Sequence, residues 1–333
     1  MLRRVADSVF WTNRYLERAE NVARFVDVHQ SLSLGGSSHW SPLVYASGDE
    51  EEFHEHYGKE YTAERVLNFL LFDSKNANSL LCCLIKAREN ARTIREILSV
   101  PIWEAINRFY LRVREASKSP EEILQNPASF LERVRRSNHE VIGVIEATMS
   151  RDEAWHFSRL GRLLERADKT SRILDVKYFV LLPDRSKVGS AFDVVQWTAL
   201  LESTSALHMY RKKYGRISPA QVAEFLLFDP EFSRSVRFCV AEAEVSTHAI
   251  TGRPLSIRLD PVEEEFAKLH DRLKTAKIDE VIAQGLHEFI DGFQRSLNEI
   301  GAAIYHGFFE IKPLSATAAP QPSQSQTQSQ SQR

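Results

Sequence analysis

The stretch NRYLERAENVARFVDV, residues 13–28, decides how the chain is read, because GRLLERADKTSRILDV, residues 161–176, repeats it. Eight of the sixteen positions are identical: Arg14/Arg162, Leu16/Leu164, Glu17/Glu165, Arg18/Arg166, Ala19/Ala167, Arg24/Arg172, Asp27/Asp175 and Val28/Val176. Chance at ordinary composition gives about one. A second match follows in the same order, with Phe69-Leu70-Leu71-Phe72-Asp73 returning as Phe225-Leu226-Leu227-Phe228-Asp229. Between the two, Trp40 pairs with Trp197 and Tyr57-Gly58 with Tyr214-Gly215. Collinear matches of this kind predict an internal duplication, with helical repeats over residues 1–150 and 151–311 packed as one unit.

The local signals are helical. Ser150 to Glu153 reads as a capping box, opening a helix that runs to about Leu182 before Pro183 stops it. Ser119-Pro120 and Ser218-Pro219 read as caps with Pro at the first helical position, and Thr62 supplies a cap hydroxyl. Asp229-Pro230 and Asp260-Pro261 read as further starts, and Gly35-Gly36 as the end of the first helix. No run alternates in the manner of a strand, so the expected class is all-α, a multi-helix bundle of two diverged copies of one helical unit. Residues 37–60 are the hardest to assign. The segment 312–333, Ala/Pro and then Ser/Gln-rich, cannot bury apolar surface and is expected to be a disordered tail.

Composition narrows the function classes. The chain has 333 residues, 43% hydrophobic and 26% charged, the balance of a globular protein. Its longest apolar runs are far too short to span a bilayer, and Asp7, Arg14 and Glu17 leave no signal-peptide core near the start. A net charge of −2 argues against nucleic acid as the main partner. Three cysteines form neither a disulfide framework nor a CxxC pair, which suits a reducing cytoplasm, and Cys83 and Cys239 read as small core residues.

The candidate residues fall in two groups. On the first helix Val5, Val9, Thr12, Tyr15, Leu16, Ala19, Val22, Ala23 and Val26 share one stripe, the core face. Arg14, Glu17, Asn21 and Arg24 lie opposite, and three of them return as Arg162, Glu165 and Arg172. A solvated face held by intrahelical pairs, Arg14–Glu17 and Glu20–Arg24, would explain them. A helix covered on both sides, with Arg14, Glu17, Arg18, Arg24, Arg162, Glu165, Arg166 and Arg172 in a buried polar network, explains better why they recur. Glu17 and Glu165 are then expected to accept from arginines of another helix, and Glu165→Ala to cost about 1–3 kcal/mol.

The second group occurs only in the first repeat: Arg88, Glu89, Asn90, Arg92, Arg95 and Glu96, followed by Trp103 and Asn107. Arg88, Arg92, Arg95 and Ser99 are expected on one helical face. Stacked arginines repel one another unless carboxylates face them, so they mark either ion pairs to another helix or a docking surface for a partner or anion. Glu51-x-x-His54 and Glu153-x-x-His156 match a di-iron helix spacing, but this composition produces such matches by chance. No phosphate loop, GxSxG or HExxH is present, and no metal, cofactor or catalytic residue is expected.

RVADSVFWTNRYLERAENVARFVDV (4–28), RENARTIRE (88–96), WEAINRFYL (103–111), GRLLERADKTSRILDVKY (161–178), WTALL (197–201) and FLLFDPEFSRSVRFC (225–239) together resemble the alpha-E family of bacterial helical domains. The resemblance covers most of residues 1–311. It implies a companion of circularly permuted ATP-grasp ligases and transglutaminase-like proteins, within an amide- or peptide-bond-forming system. It supplies no catalytic residue. Two functions follow as expectations: a non-catalytic module that docks an ATP-grasp partner or its substrate, or an enzyme half-site holding a carboxylate on Arg88, Arg92 and Arg95 with Glu17 or Glu89 as acid–base. A homo-oligomer is compatible with either.

Overall fold

The structure, a computed structural model, describes residues 1–33, 40–181 and 191–311. In chain order it consists of α1 (Arg3–Ser33), α2 (Ser41–Ser47), α3 (Glu50–Tyr57), α4 (Ala63–Leu71), α5 (Leu80–Thr93), α6 (Val100–Ala116), α7 (Glu121–Gln125) and α8 (Ala128–Thr148). It continues with α9 (Glu153–Leu181), α10 (Ala191–Ser203), α11 (Leu207–Tyr214), α12 (Pro219–Phe228), α13 (Val236–Thr251), α14 (Pro261–Thr275), α15 (Ile278–Gln284) and α16 (Leu286–Ile304), closed by a π-helical turn at Tyr305–Phe309. The fold is all-α, and no strand occurs among the described residues.

Side-chain caps fix several of these starts. Thr62 accepts from the Arg65 N–H, and Ser79 and Ser235 cap α5 and α13 by accepting from Cys82 and Phe238. Asp260 and Glu263 form a full capping box on α14. Other starts differ from the sequence expectation. α9 is capped by Asp152, whose Oδ1 accepts from Ala154 and Trp155, rather than by Ser150. Glu153 instead binds the N-terminal ammonium of Met1 at 2.6 Å. Pro120 is itself the N-cap residue of α7, and Ser218 caps α12 without a side-chain hydrogen bond. Asp229 starts nothing: it ends α12, and its Oδ1 accepts from the Glu231 and Phe232 N–H groups in the turn before α13. Between residues 40 and 58, the stretch hardest to assign from sequence, lie α2 and α3. Gly58 and Gly215 end α3 and α11 with φ of 73° and 76°, a backbone region that favours glycine. The expected stops at Gly35-Gly36 and Pro183 and the expected tail at 312–333 lie outside the described residues.

The helices form two sets with the same pattern of neighbours. In one, α1, α5, α6 and α8 close a ring, each packed on the next; in the other α9, α13, α14 and α16 do the same. The sets meet along α1 and α9, and each of these long helices also carries a short helix from the other set, α10 on α1 and α2 on α9. Both sides of α1 are therefore covered. Ala19, Ala23 and Val26 are fully buried on one, and Glu17, Glu20, Asn21 and Arg24 are at most 1% exposed on the other. One apolar core runs through both sets, from Phe53 and Phe109 to Phe266 and Phe293.

Candidate functional site

A buried charge network fills the seam between α1 and α9. Glu165 accepts from Arg18 with both oxygens, Nε to Oε1 at 2.6 Å and Nη2 to Oε2 at 3.0 Å, and from Arg14 Nε at 2.9 Å. The reciprocal pair is Arg166 on Glu17, at 2.7 and 3.0 Å. Each Glu-Arg step thus exchanges two-pronged ion pairs with the other across the helix crossing. The expected intrahelical pair Arg14–Glu17 is not formed, because Arg14 reaches across to Glu165. Glu20–Arg24 does form, but inside the protein, where Glu20 also accepts from Arg234 at 3.0 and 3.1 Å. Arg24 further donates to the Ser203 carbonyl and to Ser205. Arg172 repeats the Arg24 arrangement by donating to Asp168 at 3.0 Å, and Arg162 donates to Glu146 at 2.8 Å.

The electrostatics follow from this geometry. Burial alone would raise the carboxyl groups of Glu17, Glu20 and Glu165, but the facing guanidiniums outweigh it and hold all three below the ordinary carboxylate range. Burial pushes the thiols of Cys83 and Cys239 up to about 12, so neither is a nucleophile at neutral pH. A carboxyl depressed in the folded state contributes stability above its unfolded pKa and loses it as pH falls toward the folded one. Each of the three glutamates should therefore remove up to about 1.4 kcal/mol per pH unit below about pH 4.5. Urea denaturation at pH 7, 4 and 3 should give a steadily falling unfolding free energy. A value constant over that range would mean that the glutamates are not held by arginine.

The second candidate group forms an exposed patch, and it is not one helical face. α5 ends at Thr93, with Ile94 at its C-cap, so Arg95, Glu96 and Ser99 lie in the turns that lead to α6. Arg88 donates to Asn107 and to Glu89, both at 2.8 Å, and Arg92 donates to Glu89 at 2.8 Å. The guanidiniums of Arg88 and Arg95 lie over the ring of Trp103, at 5.6 and 5.0 Å from its centre. Arg92, Arg95 and Glu96 are exposed, while Asn90 and Trp103 are half-buried. The hydrogen bond from Arg92 draws the Glu89 carboxyl downward.

Several members of the network carried no sequence signal beyond their type. Asp168, Lys169, Asn78 and Arg234 all join it. One hint was available: Glu20 and Asp168 occupy matching places in the repeated stretch, and both are acidic. Among the described residues no group of three His, Cys, Asp or Glu side chains could hold a metal ion. His54 instead hydrogen-bonds Tyr61 at 2.7 Å. Among the described residues no helix is long and apolar enough to cross a membrane.

Similar proteins share the helical region without assigning it a task. An uncharacterized protein of Mycobacterium bovis and two of Mycobacterium tuberculosis are each 23% identical to the chain over 323 residues, covering 89% of it. The chain spans about a third of their length, 36%. No solved structure matches it. The family model described as "a predicted alpha-helical domain with a conserved ER motif" matches residues 1–309, and the chain, with Glu17-Arg18 and Glu165-Arg166 crossed at its centre, belongs to that family, Alpha-E.

Proposed function

We propose that the chain is a non-catalytic helical module that docks an ATP-grasp-type amide or peptide ligase, or that ligase's substrate. The observation that carries this reading is the pairing of the central carboxylates. Glu17, Glu20 and Glu165 each face two guanidiniums and are shifted toward the ionised form, so none is poised to move a proton near neutral pH. The enzyme half-site alternative needs a carboxyl with a raised pKa beside Arg88, Arg92 and Arg95, whereas Glu17 and Glu89 both shift downward. The Arg88–Asn107 patch lies on the surface, and its charges and Trp103 suit association with an acidic partner. A transglutaminase-like protein is a second partner in the same system, and a cytoplasmic location suits the free thiols.

The same reading takes the two helical sets as diverged copies of one unit, now residues 1–150 and 151–311. Matching rings of helices, matching caps at Ser79 and Ser235 and the crossed Glu-Arg pairs support it. A patch present in one copy alone suits a single docking event.

Replacing Arg92 and Arg95 together by alanine should weaken association with the ATP-grasp-type ligase about tenfold or more, and more steeply at low salt. Helicity and melting temperature should barely move, because both side chains are exposed. Co-purification and a binding titration with the purified ligase would check it; unaltered binding by the double variant removes the patch from the interface.

A further inference from the structure

The seam between α1 and α9 is not closed equally along its length. Near Glu17 and Glu20 the guanidinium of Arg234 fills it. At the matching place beside Glu165 stands Asn78, a shorter side chain that accepts from Arg18 at 2.8 Å. There a cleft of about 430 Å³ remains, bounded by α1, α9, α16 and the Ser47–Asp49 turn. That volume lies within the range of about 300–1,000 Å³ that small-molecule sites occupy.

One wall of the cleft has cationic donors to spare. Arg14, Arg18 and Lys169 all converge on the single carboxylate of Glu165, with Lys169 Nζ at 3.8 Å. Arg14 spends Nε and Nη2 on Glu165, and its Nη1 meets no acceptor among the described residues. Lys169 is 8% exposed and makes one short carboxylate contact, to Asp168 at 3.0 Å. An ammonium carries three donors and a guanidinium five, so positive donor capacity is left unused in a half-buried place.

The far rim is of opposite sign. Asn78 Nδ2 donates to Asp49 Oδ1 at 2.8 Å, while the buried Asp49 Oδ2 has no donor. Beyond Asp49 the surface opens into a second concavity of about 970 Å³, lined by Glu50, Glu51, Glu52 and Glu55. The two concavities share Gly48 and Asp49 and so adjoin at this turn, making a groove with a basic side toward Arg14 and Lys169 and an acidic side toward the glutamates.

We infer that this groove binds an amino acid or short peptide that carries a free carboxylate, held by Arg14 and Lys169, and a cationic amine, held by Asp49 and the glutamates beyond it. A simple anion would use the basic side alone, and a polyanion would be repelled by the acidic one. The Asn78 amide, hydrogen-bonded to Arg18 at one end and Asp49 at the other, keeps the two sides at a fixed separation. This inference stands on the groove and does not require a ligase partner.

Calorimetric titration of the full chain tests it, using the dipeptide L-lysyl-L-lysine, its C-terminal amide and inorganic phosphate as probes. The dipeptide should bind saturably and the amide about tenfold more weakly, a difference of about 1.4 kcal/mol. Asp49→Asn, which keeps the side-chain shape, should weaken the dipeptide about fivefold or more and leave the melting temperature unchanged. Glu51→Gln, at an exposed position, should act in the same direction and covers the case in which Asp49→Asn fails to fold. Absence of saturable dipeptide binding, equal affinity for the amide, or phosphate binding as tight as the dipeptide would each overturn the inference. All readings use the chain alone, so they stay separate from the outcome of the ligase titration.

Discussion

Glu165→Ala should destabilise the protein by about 3–5 kcal/mol, and Glu17→Ala by a similar amount. Each carboxylate is at most 1% exposed and takes a two-pronged pair from the other long helix. Removing Glu165 strands Arg18, Arg14 and Lys169 without the buried carboxylate they share, and like charges then face one another. A partly exposed glutamate would cost about 1–3 kcal/mol, the expectation from sequence; complete burial moves the effect to the upper class. The measurement is the urea midpoint at pH 7 with an unchanged m-value. Truncating donor and acceptor together, as in Arg18→Met with Glu165→Met, should restore part of the loss, because the double change leaves fewer charges unpaired. A wild-type midpoint in Glu165→Ala would mean that the seam is hydrated.

The all-helical class was legible because cap residues and 3.6-residue spacing act within a few positions of each other. What covers a helix was not. Periodicity assigned α1 one apolar stripe and left Glu17, Asn21 and Arg24 facing outward. In the structure that outer side is sealed by α9 and α10, and its charges are matched by Arg166, Arg234 and the Ser203 carbonyl. Hydrophobicity patterns register apolar burial only, so a face buried by ion pairs reads as solvent-facing unless its partner is known. The recurrence of Glu17-Arg18 as Glu165-Arg166 was the clue that each step faces the other. The placement of Arg95 beyond the end of α5 had no such signal, since Arg88 to Ser99 contains neither Gly nor Pro to mark a stop. The groove was invisible for a different reason. Arg14, Asp49, Asn78 and Lys169 come from four distant segments that meet only in the folded chain.

That crossing depends on a residue the repeat does not share, Gly161, which stands where the first stretch has Asn13. A Cβ at Gly161 would overlap the Phe10 carbonyl oxygen and lie 3.3 Å from Arg14 Cγ. The obstacle is backbone of α1, so no side-chain rotation relieves it; the two long helices must separate. Gly161 is one helical turn before Glu165, on the same face, so the separation falls where the crossed ion pairs need close approach. Replacing glycine inside a helix ordinarily gains up to about 1 kcal/mol in helix propensity. Here the clash should outweigh that gain, and Gly161→Ala should lose about 2–3 kcal/mol net, with Gly161→Val losing more. Gly143, inside α8, is the control, since a Cβ there meets nothing within 4 Å. Gly143→Ala should match or exceed the wild-type melting temperature, while Gly161→Ala should melt several degrees lower. If both alanine variants melt at or above the wild type, α1 and α9 are not held in contact at this point, and the close seam that aligns Glu17, Arg18, Glu165 and Arg166 must be set elsewhere along the helices.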